Sequence, residues 1–337
     1  MAKPLITCLP FRAGILLLIT YTLFSCSSAV YPSSYRISLP PESFSGNQFM
    51  RTKILGSIAI GGGKVDGLPI VEMSDLAWDE TSETLYAISD DGYLYTIKLT
   101  ISDSILKSAT ITHATHLKGA DRKPLRGADN DPEGLDIRHV KNGRQQQTEL
   151  LISFENNSRI ARYNTQGEYL GNTLLPKKLQ QRSRYRHTNK ALESVVIHPR
   201  HGILTAAEHP IKGHSSKVQS IYSQHGREWH FPRHSASQSA ITALEVLDNG
   251  DVLVLERAYS GLFRPLVISL RQVQLKRCNR KGHCPVKDIA VFSSAQGWNM
   301  DNFEGLTRLP NNRYLMASDD NKNPLQQTLM VMFEVTP

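Results

Sequence analysis

The chain lacks the signatures that would assign it to several common function classes. Its 337 residues contain no Gly-x-Ser-x-Gly elbow and no His-Glu-x-x-His pair, so serine-hydrolase and zinc-peptidase mechanisms find no support. No segment sustains a 3.6-residue apolar period, which argues against helical layers. The formal net charge is +8, yet no basic strand is interleaved with aromatic residues, so nucleic acid is not an expected partner. The apolar stretch Ala13 to Phe24 is too short for a membrane span. Cysteine is scarce, with four in all.

Lys3 and Arg12 precede that apolar stretch, and Met1–Phe24 therefore reads as a secretory signal. Leu23-Phe24-Ser25-Cys26 resembles a bacterial lipobox with Cys26 as the lipidated residue, ordinary cleavage near Ala29 being the alternative. The expected organisation is a signal peptide over 1–25, a tether over 26–51 and a folded domain over 52–337. The expected product is an exported lipoprotein, anchored on the outer-membrane or periplasmic side of a bacterial envelope, and a monomer. Cys278 and Cys284 close a short loop, and in an exported chain that spacing predicts a disulfide. A metal site there would have only His283 as a third ligand.

What the chain has is a repeat. Glu133-Gly134-Leu135, Glu193-Ser194-Val195 and Glu304-Gly305-Leu306 share a pattern with the looser Ser74-Asp75-Leu76 and Thr242-Ala243-Leu244. Each opens an apolar run, crosses a turn, and enters a second run ending on Asp90, Glu155, Glu208, Glu256 or Asp319. The spacing of about 50–60 residues suits the four-stranded blades of a β-propeller. An all-β propeller of five blades, or six with one degenerate, is therefore expected. The fifth unit is one strand short, and Thr52–Ile60 is the spare strand that would close the ring and remove a sheet edge.

If each blade runs A to D antiparallel, the start of A and the end of B share one rim. Glu133, Glu193 and Glu304 should then converge with Asp90, Glu155, Glu208, Glu256 and Asp319, with Asp91 and Asp320 next to two of these. The long loops on that rim are basic: Lys118, Arg122, Lys123 and Arg126 in one, Lys177, Lys178, Arg182, Arg184, Arg186 and Lys190 in another. Clustered carboxylates repel, so they need cations. Ca²⁺ is one candidate; Arg257, Arg159 and Lys322 are the alternatives, and a mixture is expected. Each acid capping its own blade is the plainer reading, and the better one for the Thr242 copy. Loop lysines and arginines are often merely solvated; otherwise the collar would recognise an anionic small molecule through bidentate arginine contacts.

Several blocks resemble a known family, the phytase-like proteins described as "esterase-like activity of phytase". They are Asp301-Asn302-Phe303-Glu304-Gly305-Leu306 followed by Ser318-Asp319-Asp320-Asn321, Asn130-Asp131-Pro132-Glu133-Gly134-Leu135, Leu253-Val254-Leu255-Glu256-Arg257, and Leu76-Ala77-Trp78 through Ser89-Asp90-Asp91. Together they span roughly 52–337. The chain departs from the family pattern at Glu155-Asn156-Asn157 and at Glu193-Ser194-Val195, neither of which removes a carboxylate. The resemblance implies a metal-dependent phosphoester hydrolase. Glu133, Glu304, Asp319 and Arg257 would carry the chemistry, and Asp90, Glu155, Glu193, Glu208, Glu256 and Asp320 would hold Ca²⁺. Arg122, Lys123, Arg126, Arg159, Lys190 and Lys322 would hold the anionic ester. The competing readings are a non-catalytic envelope lipoprotein that binds a ligand or partner, and a lactonase-like metal-dependent esterase.

Overall fold

The computed structural model describes residues 34–142, 145–187, 190–261, 264–323 and 325–336. The expected signal peptide and the lipidation of Cys26 lie outside the described residues.

Short runs of β-branched and aromatic residues, separated by Gly- and Asn-containing turns, form antiparallel four-stranded sheets. The innermost A strands are Met73–Asp79, Pro132–Asn142, Leu192–His198, Ser239–Val246 and Asn302–Leu309. The B strands are Thr84–Ser89, Gln145–Phe154, Gly202–Ala207, Val252–Ala258 and Arg313–Asp319. Strands C and D follow outward in sequence order in blades 1 to 4. In blade 5, strand C is Leu329–Val335 and strand D is Thr52–Ile60, paired antiparallel from Leu329↔Ala59 to Val335↔Thr52. The chain thus forms a five-bladed β-propeller closed by its N-terminal strand. Five apolar clusters fill the spaces between consecutive blades, including the one between blades 5 and 1.

Part of the expected tether belongs to the fold. Ser34–Arg36 pairs with Ile58–Ile60 as a fifth strand on blade 5, and Gln48–Phe49 pairs with Thr52 and Lys53. Leu39 is fully buried, and Phe44 and Phe49 pack on Trp298 with ring centroids 5.3 and 4.5 Å apart. The Ser, Pro and Tyr content suggests a linker, but these three apolar side chains fasten it to blades 4 and 5.

The Cys278–Cys284 disulfide is formed. Its loop joins strands C and D of blade 4, on the rim away from the starts of the A strands.

Candidate functional site

All five A–B ladders skip one residue at the same place. The register shifts between Met73/Asp75, Pro132/Gly134, Leu192/Ser194, Ile241/Ala243 and Phe303/Gly305. The residues left out of pairing are Ser74, Glu133, Glu193, Thr242 and Glu304, the first residue of each repeat. A bulge frees one side chain from the pleat and re-aims it. The repeat therefore encodes a bulge that presents three glutamates at the channel mouth. After Glu133 and Glu304 the next residue must be glycine, because neighbouring A strands approach closely there; in blade 1 the same place holds Asp75, whose carboxylate reaches the adjacent strands. A Cβ on Gly134 would lie 2.7 Å from Ser194 Cα, and one on Gly305 3.0 Å from Asp75 Cα.

The B strands deliver their terminal acids to the same rim, and a recurring backbone bond seats them. The amides of Asp90, Glu155 and Glu208 donate to the carbonyls of Glu72, Asp131 and Ala191, at 3.2, 3.1 and 2.9 Å. Two carboxylate triads result, each with oxygens within 4.8 Å of one another: Asp90, Asp131 and Glu133, and Glu155, Glu193 and Glu208. Asp131 was not singled out by the sequence reading, although it sits two residues before Glu133. Its φ of 106° is strained for a residue with a Cβ, as happens where surrounding structure holds a functional group in place.

Cations neutralise part of this ring. Arg257 donates to Glu304 at 2.5 Å, reaches Glu208 at 3.4 Å, and bonds Asn302. Lys190 donates to both oxygens of Glu208 at 2.9 and 3.0 Å. Lys322 bridges Glu72 at 2.6 Å and Asp91 at 2.9 Å. The Asp90–Asp131–Glu133 triad has only neutral donors: Ser74 to Asp90 and Asn156 to Asp131. Among the described residues no lysine or arginine pairs with any of the three.

The electrostatics follow from that imbalance. Burial, then the charges of Asp90 and Glu193, push the Glu133 carboxyl well above the ordinary range. Asp90 rises through burial and the charges of Glu304 and Asp319, and Glu193 through burial and those of Glu208 and Glu155. Burial lifts Glu155 to about 7, and burial with the Glu304 charge lifts Asp319 to about 8. Burial opposes the charge of Arg257, but Glu304, Glu208 and Glu193 outweigh it and hold the guanidinium protonated. An all-oxygen, mutually repelling donor set of this kind suits a hard divalent cation.

Three residues expected at the site stand apart. Glu256 is fully buried, its carboxylate taken by Arg271 at 2.7 Å, Ser239 Oγ at 2.6 Å and the His234 amide at 3.0 Å. It holds blade 4 together and does not join the ring. Asp320 caps a loop, accepting the amides of Glu72 and Lys322 at 3.0 and 3.1 Å. Arg159 donates to the carbonyls of Asp129 and Asn157 and lies over Phe154, 3.7 Å from the ring centroid. At the Thr242 bulge the hydroxyl bonds the Phe303 carbonyl at 3.3 Å, so that copy is a cap.

Most of the basic collar stays exposed at the surface. Leu179 and Tyr185 anchor the 176–190 loop in the core, and Arg186 donates to the Pro210 and His214 carbonyls at 2.7 and 2.6 Å. Arg122, Lys123 and Arg126 are exposed and form no ion pair with a ring acid among the described residues. Among the described residues of the collar, only Lys190 pairs with a ring acid. It lines a pocket of about 430 Å³ with Glu208, Arg257, His187, His209 and Tyr259. Burial lowers His209 to about 4, so its imidazole is neutral.

Below the mouth lies a tier of acids with a structural task. Asp75 accepts the amides of Leu76, Leu135 and Leu306 at 2.8, 2.7 and 2.9 Å, joining blade 1 to blades 2 and 5. Asp136 accepts the Ile197 amide of blade 3 at 2.5 Å, and Glu245 the Arg308 amide of blade 5 at 2.8 Å.

Solved structures similar to this chain include the PQQ-bound aldose sugar dehydrogenase of Streptomyces coelicolor, at 8% identity and a TM-score of 0.41 over 84% of this chain and 97% of that one. Another is U3-55K, at 10% identity and a TM-score of 0.38, covering 87% and 99%. A third is the polycomb repressive complex 2 of Chaetomium thermophilum, at 10% identity and 0.38, covering 80% and 69%. Likeness this remote carries no argument about function. No curated protein matches the chain. A family model described as "Phytase-like: Esterase-like activity of phytase" matches residues 69–322.

Proposed function

The chain belongs to the phytase-like family, and from that premise we propose that it is a metal-dependent hydrolase of phosphoesters or related anionic esters, acting at the acidic mouth of the propeller. The observation that carries this reading is the Asp90–Asp131–Glu133 triad, three carboxylates with oxygens within 4.8 Å of one another and no basic partner among the described residues. At the second triad, Glu208 with Lys190 and Arg257 lines a pocket of about 430 Å³ large enough for a small ester. Bound by Asp90, Asp131 and Glu133, an ion such as Ca²⁺ would supply Lewis acidity for a phosphoryl oxygen and lower the pKa of water.

The chain's own residues would do the rest. Lys190 offers its ammonium to the anionic group at the pocket edge. Arg257, fixed by Glu304, sets the position of Glu208. Glu155, with its proton affinity at about 7, exchanges a proton near neutrality, which suits acid–base work. Neutral His209 adds a hydrogen-bonding group at the pocket wall. Export and lipid anchoring, expected from Met1–Phe24 and Cys26, belong to the same proposal.

One observation favours the alternative of a mouth that binds without turnover. In the second triad Lys190 and Arg257 already balance Glu208, so that part of the ring is stable without an ion. Calcium titration by calorimetry, with hydrolysis of a phosphomonoester assayed on the same sample, separates the readings. Binding with turnover supports the hydrolase, binding alone supports the ligand-binding mouth, and neither would overturn the proposed metal site.

A further inference from the structure

One cavity of the molecule lies away from the mouth. About 830 Å³ in volume, it lies between blades 3 and 4 on the opposite rim, walled by the A–B turns of both blades and the disulfide loop. Arg200, Arg227, Lys276, Arg280 and Lys281 line it, and all five are exposed. Its two acids are engaged by cations that lie outside the lining: Glu228 pairs with Lys178 at 2.7 Å, and Asp248 with Arg308. Among the described residues no acid pairs with Arg200, Arg227, Arg280 or Lys281.

The walls are held rigidly. The His230 amide donates to the Gly282 carbonyl and the Cys284 amide to the His230 carbonyl, both at 2.8 Å, zipping the disulfide loop onto strand D of blade 3. The disulfide closes that loop behind Arg280 and Lys281. Lys276 is fixed by a 2.6 Å bond to the Asn249 carbonyl, and Arg227 lies over Trp229 at 5.0 Å. Trp229, another wall residue, is fully buried and its indole N–H has no partner among the described residues. The field inside is positive: His201, packed on Trp229 and His198, is held toward its neutral form by burial and then by His198, Arg227 and Arg200.

We propose that this far-rim cavity is a second binding site, distinct from the acidic mouth, for a ligand bearing a phosphate group. The arginine forks at Arg200, Arg227 and Arg280 suit bidentate contact with phosphate oxygens. The volume exceeds that of a lone phosphate ion and admits a phosphorylated sugar or a lipid headgroup. The disulfide loop then serves to present two of the cations, Arg280 and Lys281.

The test is calorimetric titration of the full chain with glucose 6-phosphate in the presence of a chelator, which removes any metal-dependent binding at the mouth. Wild type is expected to bind, more weakly as salt is raised. The Arg200→Gln/Arg280→Gln variant, changed only at exposed side chains, is expected to bind at least tenfold more weakly, and Lys190→Gln at the mouth to bind like wild type. Sedimentation with phosphatidylcholine vesicles, with and without phosphatidic acid, separates the sources. Retention by phosphatidic acid that the double variant abolishes assigns a lipid surface, and binding of the sugar phosphate alone assigns a soluble ligand. The inference is overturned if wild type binds neither probe, if the double variant binds as wild type does, or if Lys190→Gln alone removes the binding.

Discussion

Replacing Asp75 tests the logic that joins the blades. This residue is 2% exposed, and its carboxylate accepts three backbone amides, two of them from other blades. Asp75→Ala leaves all three N–H groups buried without acceptors. At about 1–3 kcal/mol each, the loss is about 3–9 kcal/mol, a large share of the ~5–15 kcal/mol that holds a typical domain. Asp75→Asn keeps Oδ1, which takes the Leu76 and Leu306 amides, and turns an NH₂ toward the Leu135 amide. One orphaned N–H then costs about 1–3 kcal/mol. Burial raises the Asp75 carboxyl well above its ordinary range, so a neutral amide also removes an electrostatic burden and keeps the Asn loss at the low end. Urea unfolding followed by circular dichroism gives both values by linear extrapolation. An Ala variant within about 1 kcal/mol of wild type would refute the bracing role. So would an Asn variant that loses as much as the Ala variant, since that would make the charge, not the amides, the decisive feature.

Further predictions concern the mouth and the two structural pairs. Glu133→Gln and Asp131→Asn are expected to weaken calcium binding about tenfold or more, and Glu304→Gln much less, because Glu304 is already paired with Arg257; calorimetry that ranked Glu304 first would contradict the assignment. Because Glu155 and Asp319 sit at about 7 and about 8, the folded metal-free protein binds more protons than the unfolded chain between pH ~4 and ~8. Its stability is therefore present at the acid end and is lost as pH rises through those values, so Tm should fall from pH ~5 to ~8, and added Ca²⁺ should raise Tm more at ~8 than at ~5. A flat profile in thermal melts would count against the raised carboxyls. Glu256→Gln should lower stability by about 1–3 kcal/mol, because the buried Arg271 keeps Asp288 but loses its buried carboxylate partner, while leaving calcium affinity unchanged. Replacing Cys278 and Cys284 with Ala opens a seven-residue loop and should cost about 2 kcal/mol in denaturant titrations.

Much of the fold was legible because blades are local objects. Alternating apolar residues and turn signals define hairpins within a few tens of residues, and a missing strand at one end with a spare at the other states how the ring closes. The site was legible in part. Glu133, Glu193 and Glu304 stood out by recurrence, and the A–B topology sent Asp90, Glu155, Glu208 and Asp319 to the same rim. Glu256 shows the limit of that reasoning. It ends a B strand as Glu208 does, yet Arg271 and Ser239 enclose it, and its neighbours in sequence give no sign of this. Asp131 was passed over because it lies just outside the repeat pattern.

The amino-acid sequence alone determined the repeat, the recurring first residue of each blade, a propeller of five or six blades with a spare strand to close it and the pool of acids at one rim, since all of these follow from short-range pattern and strand direction. Tertiary structure alone decided which acids share a triad and which are neutralised. It likewise decided which loop cations reach them and that a basic cavity forms between blades 3 and 4. Those outcomes depend on contacts such as Arg257 with Glu304, 47 residues apart, and Lys322 with Asp91, 231 apart. Such distances are fixed by how one blade packs on the next, which no local segment encodes.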